Sequence, residues 1–99
     1  MTIQEKVAQM RIFHARAGVG WSKNGKLTLN KEVQKYLRNG IAGIKNPGER
    51  QTPEESARLT NELQRTIIEN SRLKIPALFI TEAYNGIDAN GTTQLWSPY

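Results

Sequence analysis

The residues best suited to chemistry sit together, just past an apolar run. Ala77-Leu78-Phe79-Ile80-Thr81 gives way to Glu82-Ala83-Tyr84-Asn85-Gly86-Ile87-Asp88-Ala89-Asn90-Gly91, a stretch with two carboxylates, two amides and an aromatic ring. Carboxylates accept hydrogen bonds and amides both donate and accept, so this set can grip sugar hydroxyls. Glu82 is the candidate substrate-binding residue, because functional groups in α/β architectures gather beyond the carboxyl ends of strands. Two structural roles stand beside that one: Glu82 caps a turn, or it pairs with Lys45. A glycosidase pair made of Glu82 and Asp88 would need carboxyl groups roughly 5–9 Å apart. Loop spacing does not dictate such a distance, and the two are not read as a complete catalytic pair. Asn85-Gly86 and Asn90-Gly91 read first as turns. Asn90-Gly91-Thr92 is a glycosylation sequon, with meaning only in a secretory pathway.

Several chemistries are excluded by what the chain lacks. It has no cysteine, which removes disulfides, thiolate metal sites and cysteine nucleophiles. Its single histidine, His14, cannot build the usual His-rich zinc site within one chain. His14 also lacks a G-x-S-x-G elbow to serve, so it reads as a packed or surface residue rather than a general base. Trp21 and Trp96 read as packing residues before sugar platforms. No metal and no cofactor is expected.

Charge is uneven along the 99 residues, whose net charge is +5. Residues 1–50 hold ten Lys/Arg against three Glu, and residues 51–99 hold four Lys/Arg against five Glu and one Asp. The basic half could suggest nucleic acid. However, Lys23, Lys26, Lys31, Lys35 and Arg38 are scattered singly, without an aromatic–basic motif, and a solvated surface is the better reading. Nucleic acid is not an expected partner. No apolar run approaches the ~20 residues of a membrane span. Residues 1–20 carry charge throughout and do not read as a signal peptide, which suits a cytoplasmic protein and equally a processed secreted one.

The elements that must position these residues are short. Thr2-Ile3-Gln4-Glu5 is a capping box opening a helix over residues 3–10, with Ile3, Val7 and Met10 at helical spacing. Residues 11–29 contain Gly18, Gly20 and an Asn24-Gly25 turn, and are expected to form one irregular strand and a long loop. Asn30 caps a second helix through Val33, Tyr36 and Leu37, stopped by Asn39-Gly40, where Gly40 can take the left-handed conformation. Ile41-Ala42-Gly43-Ile44 is long enough for a buried strand, broken by Lys45-Asn46-Pro47-Gly48. Thr52, Pro53 and Glu55 supply cap, first-turn proline and capping box for a third helix over residues 53–72. Leu59, Leu63 and Ile67 form its apolar stripe, broadened by Ile68. Pro76 then clears the way for a strand over residues 77–81. Strand 41–44, helix 53–72 and strand 77–81 make a βαβ crossover, which implies parallel pairing and right-handed winding.

The order of motifs resembles the opening of family 3 glycoside hydrolases. Thr2-Ile3-Gln4-Glu5-Lys6-Val7-Ala8-Gln9-Met10 is similar to that family's T-x-E-E-K-V-x-Q-M/L helix, and Gly40-Ile41-Ala42-Gly43-Ile44 looks like its next strand. Asn61-Glu62-Leu63-Gln64, then Ser71-Arg72-Leu73-Lys74-Ile75-Pro76, resembles N-x-L-Q…S-R-L-G-I-P. Ala77 to Gly86 resembles P-L-L-F-x-x-E-A-L-H-G. Two stretches depart from the pattern: Tyr84-Asn85 replaces L-H, and Gly91-Thr92-Thr93-Gln94-Leu95-Trp96 replaces G-A-T-x-F-P.

The resemblance implies a (β/α)8 barrel and retaining hydrolysis of β-linked glucosides, xylosides or N-acetylglucosaminides. It maps the carboxylate that contacts hydroxyls of the −1 sugar onto Glu82. The family's nucleophile is an aspartate on a late barrel strand and its acid/base lies later still; no position here matches either. A closed barrel takes ~250 residues. Residues 1–99 are therefore read as one N-terminal fragment of such a barrel domain, an α/β, TIM-barrel-like piece with at least one parallel βαβ unit and no closure. It is expected to be inactive alone, to take a sugar or β-glycoside as its ligand, and to form a homo-oligomer. The alternative is a small self-assembling structural or sugar-binding protein derived from the same fragment.

Overall fold

The computed structural model of the chain describes residues 1–21, 26–47 and 51–82. Helix α1 (Ile3–Ala8) begins at the expected capping box: Thr2 Oγ1 accepts the Glu5 N–H at 3.2 Å while Glu5 Oε2 accepts the Thr2 N–H at 2.6 Å. The helix is shorter than expected, because Gln9 and Met10 continue as turns. Strand β1 (Ile12–His14) follows, then a single helical turn α2 (Ala15–Gly18) and a hairpin of β2 (Val19–Trp21) and β3 (Leu27–Leu29). The expected lone irregular strand over residues 11–29 is thereby corrected to three strands and a turn of helix. Each of these strands has three residues, too few to establish an alternating pattern, and each is held by a partner strand. The Asn24-Gly25 turn lies outside the described residues.

Helix α3 (Lys31–Leu37) is capped by Asn30, whose Oδ1 accepts the Val33 N–H at 2.8 Å and whose Nδ2 donates to the Ala17 carbonyl at 2.5 Å. One amide thus fastens α3 to α2. The two helices approach so closely that a Cβ on Gly18 would run into Cγ2 of Val33. Gly40 ends the segment at φ 91°, in the left-handed region that glycine occupies at little steric cost.

Strand β4 (Gly43–Lys45) starts two residues later than the apolar run suggested, with Ile41 leading into it as a core residue. Helix α4 (Pro53–Asn70) has the second capping box and proline in its first turn, and it stops before residue 72. Strand β5 (Leu78–Ile80) completes the fold. Gln64 on α4 holds its approach, accepting the Ala77 N–H and donating to the Ala77 carbonyl, both at 2.9 Å.

The main sheet has order β1-β4-β5, and both pairings are parallel. The molecule is mixed α/β, with an open sheet of three parallel strands and a separate antiparallel hairpin. Register places Ile12, Gly43 and Leu78 in one row, Phe13, Ile44 and Phe79 in the next, and His14, Lys45 and Ile80 in the last. Successive residues of a strand face opposite sides. The middle row faces the helices, where Ile44 joins Val33, Leu37, Ile41, Leu63 and Ile67 in the core, with Phe13 and Phe79 packed against it. Burying a leucine or isoleucine side chain stabilises by about 1.5–3 kcal/mol, and the Leu59, Leu63, Ile67 stripe of α4 is buried in full.

The outer rows define a second face, and among the described residues no helix covers it. Leu78 is 70% exposed, Ile12 53% and Ile80 36%. Leu78 and Ile80 are thus exposed although they belong to an apolar run. Among the described residues no helix is long and apolar enough to cross a membrane.

Candidate functional site

The uncovered face ends in a polar corner at the carboxyl ends of all three parallel strands. His14 is the last residue of β1, Lys45 the last of β4, and Glu82 lies just past β5. Because side chains alternate, His14, Lys45 and Glu82 fall on the same side of the sheet, opposite the packed middle row.

Lys45 Nζ and Glu82 Oε1 form an ion pair at 2.5 Å. This is one of the structural roles that the sequence allowed for Glu82. The pair is exposed, with 70% of the Glu82 side chain accessible, so its contribution to stability is small. Its effect on protonation is clear. The hydrogen bond from Lys45 holds the Glu82 carboxyl below its ordinary value, aided by the lysine charge and by His14 nearby. A carboxylate in this state accepts hydrogen bonds. A general acid needs the opposite shift, upward toward the working pH. The corner therefore suits Glu82 to accepting hydrogen bonds and not to giving up a proton.

Asn46 holds the strand ends together. It adopts φ 52°, a left-handed conformation that asparagine tolerates better than most residues. Its backbone N–H donates to the Ile80 carbonyl at 2.7 Å, and its Oδ1 accepts the Glu82 N–H at 3.4 Å. The end of β4 thus sets where the chain leaves β5, and so where Glu82 begins.

His14 has a second function that its residue type alone does not suggest. Its Nδ1 accepts the Arg16 N–H at 3.3 Å and so serves as the N-cap of α2. From sequence, His14 reads as packing or surface, Lys45 as a partner for Glu82, and Lys45 and Asn46 together as the start of the loop past the first strand's carboxyl end. The signal for His14 and Lys45 was a polar residue directly ending each short apolar run. Their side-by-side placement depends on register, which no local pattern carries.

Asp88, Tyr84, Asn85-Gly86, the Asn90-Gly91-Thr92 sequon and Trp96 lie outside the described residues, as do Gly48, Glu49 and Arg50. Trp21 contributes its backbone to β2. Among the described residues no group of three or more His, Cys, Asp or Glu side chains could hold a metal ion.

No protein-family model matches the chain. The chain is similar to part of a protein of Formosa agariphila named "Putative beta-xylosidase", with 56% identity over 98 residues. That alignment takes in 99% of this chain but only 13% of the relative's length. The chain thus resembles one short stretch of a much longer protein that bears a glycosidase name.

Proposed function

We propose that this chain is a segment of a retaining family 3 glycoside hydrolase, of the β-xylosidase kind, and that it forms the first strands of the barrel. In this reading Glu82 accepts hydrogen bonds from hydroxyls of the sugar, while the nucleophile and the acid/base come from parts of the enzyme that these residues do not supply. The observation that carries it is the 56% identity, over nearly the whole chain, with a stretch of a protein named for that activity. The open parallel sheet, with a helix in each crossover, supports a barrel beginning. The ionised state of Glu82 at a strand's carboxyl end supports a binding role over a proton-donating one.

An NMR titration with methyl β-xyloside, run on the wild-type chain and on Glu82→Gln, tests the proposal. The Glu82 carboxyl signal is expected to move with added sugar, and the variant is expected to bind at least about fivefold more weakly, as befits a lost charged hydrogen bond. A xyloside that perturbs only the basic first half of the chain would count against it.

The second reading is a small protein that assembles through its sheet. The exposed Ile12, Leu78 and Ile80 on one face of the sheet favour it, since an uncovered apolar face invites a partner copy. The two readings differ in what they need: the first needs sugar contact at Glu82, the second only a defined oligomer.

A further inference from the structure

The corner around Glu82 offers more than one carboxylate. In a neutral imidazole, one ring nitrogen carries the proton and the other accepts. Nδ1 of His14 accepts from the Arg16 backbone, so the proton resides on Nε2. The α2 cap therefore selects the tautomer, and it leaves an N–H donor at the far end of the ring. Among the described residues that donor has no partner. The same holds for Glu82 Oε2, because Lys45 engages only Oε1.

His14 and Lys45 are in register on adjacent strands, and neighbouring strands lie about 4.8 Å apart. Glu82 follows Ile80, the third member of that row, on the same face. Donor and cation thus end adjacent strands, and the carboxylate follows two residues past Ile80 on the third. A hydroxyl both donates and accepts, so two neighbouring hydroxyls can satisfy an unpaired donor and an unpaired acceptor together. Half-burial of His14 makes its bond worth more than it would be on an open surface, whereas Glu82 stays largely exposed.

We propose that His14 is a direct sugar-binding residue and Lys45 a positioning residue, which together with Glu82 form a site for neighbouring hydroxyls of a neutral pyranoside. His14 donates from Nε2 to one hydroxyl, Glu82 accepts through Oε2 from the next, and Lys45 fixes the carboxylate so that Oε2 faces the ligand. This rests on Glu82 being the sugar contact and adds two residues to it.

The test uses the 99-residue chain, imidazole 15N spectra and methyl β-xyloside. Before ligand is added, the His14 ring should show its proton on Nε2; a proton on Nδ1 would overturn the proposal without any sugar. With xyloside, the Nε2 signal should move together with the Glu82 carboxyl signal. His14→Asn keeps an oxygen able to accept from the Arg16 N–H, so α2 stays capped, but its shorter amide does not carry a donor out to the position of Nε2. It is expected to weaken xyloside binding at least about fivefold. Lys45→Met should raise the Glu82 titration midpoint and weaken binding, and Lys45→Arg should restore both. If the Glu82 signal responds to sugar while the ring signal stays still and His14→Asn binds like wild type, His14 has no such role and the Glu82 reading survives. If neither signal responds, the Glu82 reading itself is wrong.

Discussion

Arg72 grips both oxygens of Glu5, with Nε 2.6 Å from Oε1 and Nη2 2.8 Å from Oε2, across 67 positions of sequence. Glu5 is 3% exposed and at the same time closes the capping box of α1. A single carboxylate thus ties the first helix to the segment that follows α4.

That pairing sets an acid limit on the fold. The Arg72 hydrogen bonds, with the Thr2 N–H next, lower the Glu5 pKa from 4.5 to about 2. A depressed carboxylate pKa stabilises the folded state fully above the unfolded value of 4.5, and the benefit disappears as pH falls toward about 2. Urea unfolding midpoints should therefore fall across this window for the wild type. Glu5→Gln is expected to begin less stable and to show a visibly shallower decline. Equal slopes for the two proteins would show that Glu5 does not set the acid limit.

Truncations on the two sides of the sheet should differ sharply. Ile44 is fully buried, and Ile44→Ala is expected to cost about 2–5 kcal/mol through lost contacts and a residual cavity. Leu78 stands on the uncovered face, and Leu78→Ala should stay within about 0.5 kcal/mol in a monomer. Chemical denaturation at low micromolar concentration separates these outcomes. A large loss for Leu78→Ala would mean that the face is covered in solution.

Self-association is the proposed means of covering it. Apolar surface left in water forfeits about 25 cal/mol for each Å2, and Ile12, Leu78 and Ile80 lie on the same face of the sheet, in its first and last rows. A symmetric dimer is the commonest way for a protein to bury such a patch. Light scattering coupled to size exclusion should report an oligomer at tens of micromolar, reduced to a monomer by Ile12→Lys with Leu78→Lys. A cooperative wild-type monomer would defeat the proposal.

Hydrolysis is not expected from these 99 residues. A retaining mechanism needs one carboxylate as nucleophile and another as acid/base. Glu82 is held ionised by Lys45, which leaves it unsuited to donate a proton. Purified chain incubated with an aryl β-xyloside should release no more phenol than buffer does. Release that vanishes in Glu82→Gln would assign Glu82 a catalytic role.

What could be read in the sequence follows the range of the forces involved. Thr2, Asn30 and Thr52 each cap a helix because a side-chain oxygen meets an N–H only three residues away, and such contacts are written in local spacing. The stripe of Leu59, Leu63 and Ile67 is legible for the same reason. Strand β1 and the β2–β3 hairpin were not, because a three-residue strand exists through its partner. The clasp of Gln64 on Ala77 and the grip of Arg72 on Glu5 join residues 13 and 67 positions apart, beyond any periodic signal. At the candidate site, Glu82 and its pairing with Lys45 were both foreseeable. The cap through His14 Nδ1 and the linking role of Asn46 came only from the arrangement of the strand ends.

The position of β4 between β1 and β5 has a consequence for how the molecule opens. An outer strand can peel away by giving up one set of ladder bonds, whereas Gly43, Ile44 and Lys45 are flanked on both sides. Amide protons of this strand are shielded by a strand on either side, while those of the outer strands escape more readily through partial fraying. In deuterium exchange, the slowest amides in the chain should lie within β4, and their rates should follow urea dependence of the size seen for complete unfolding.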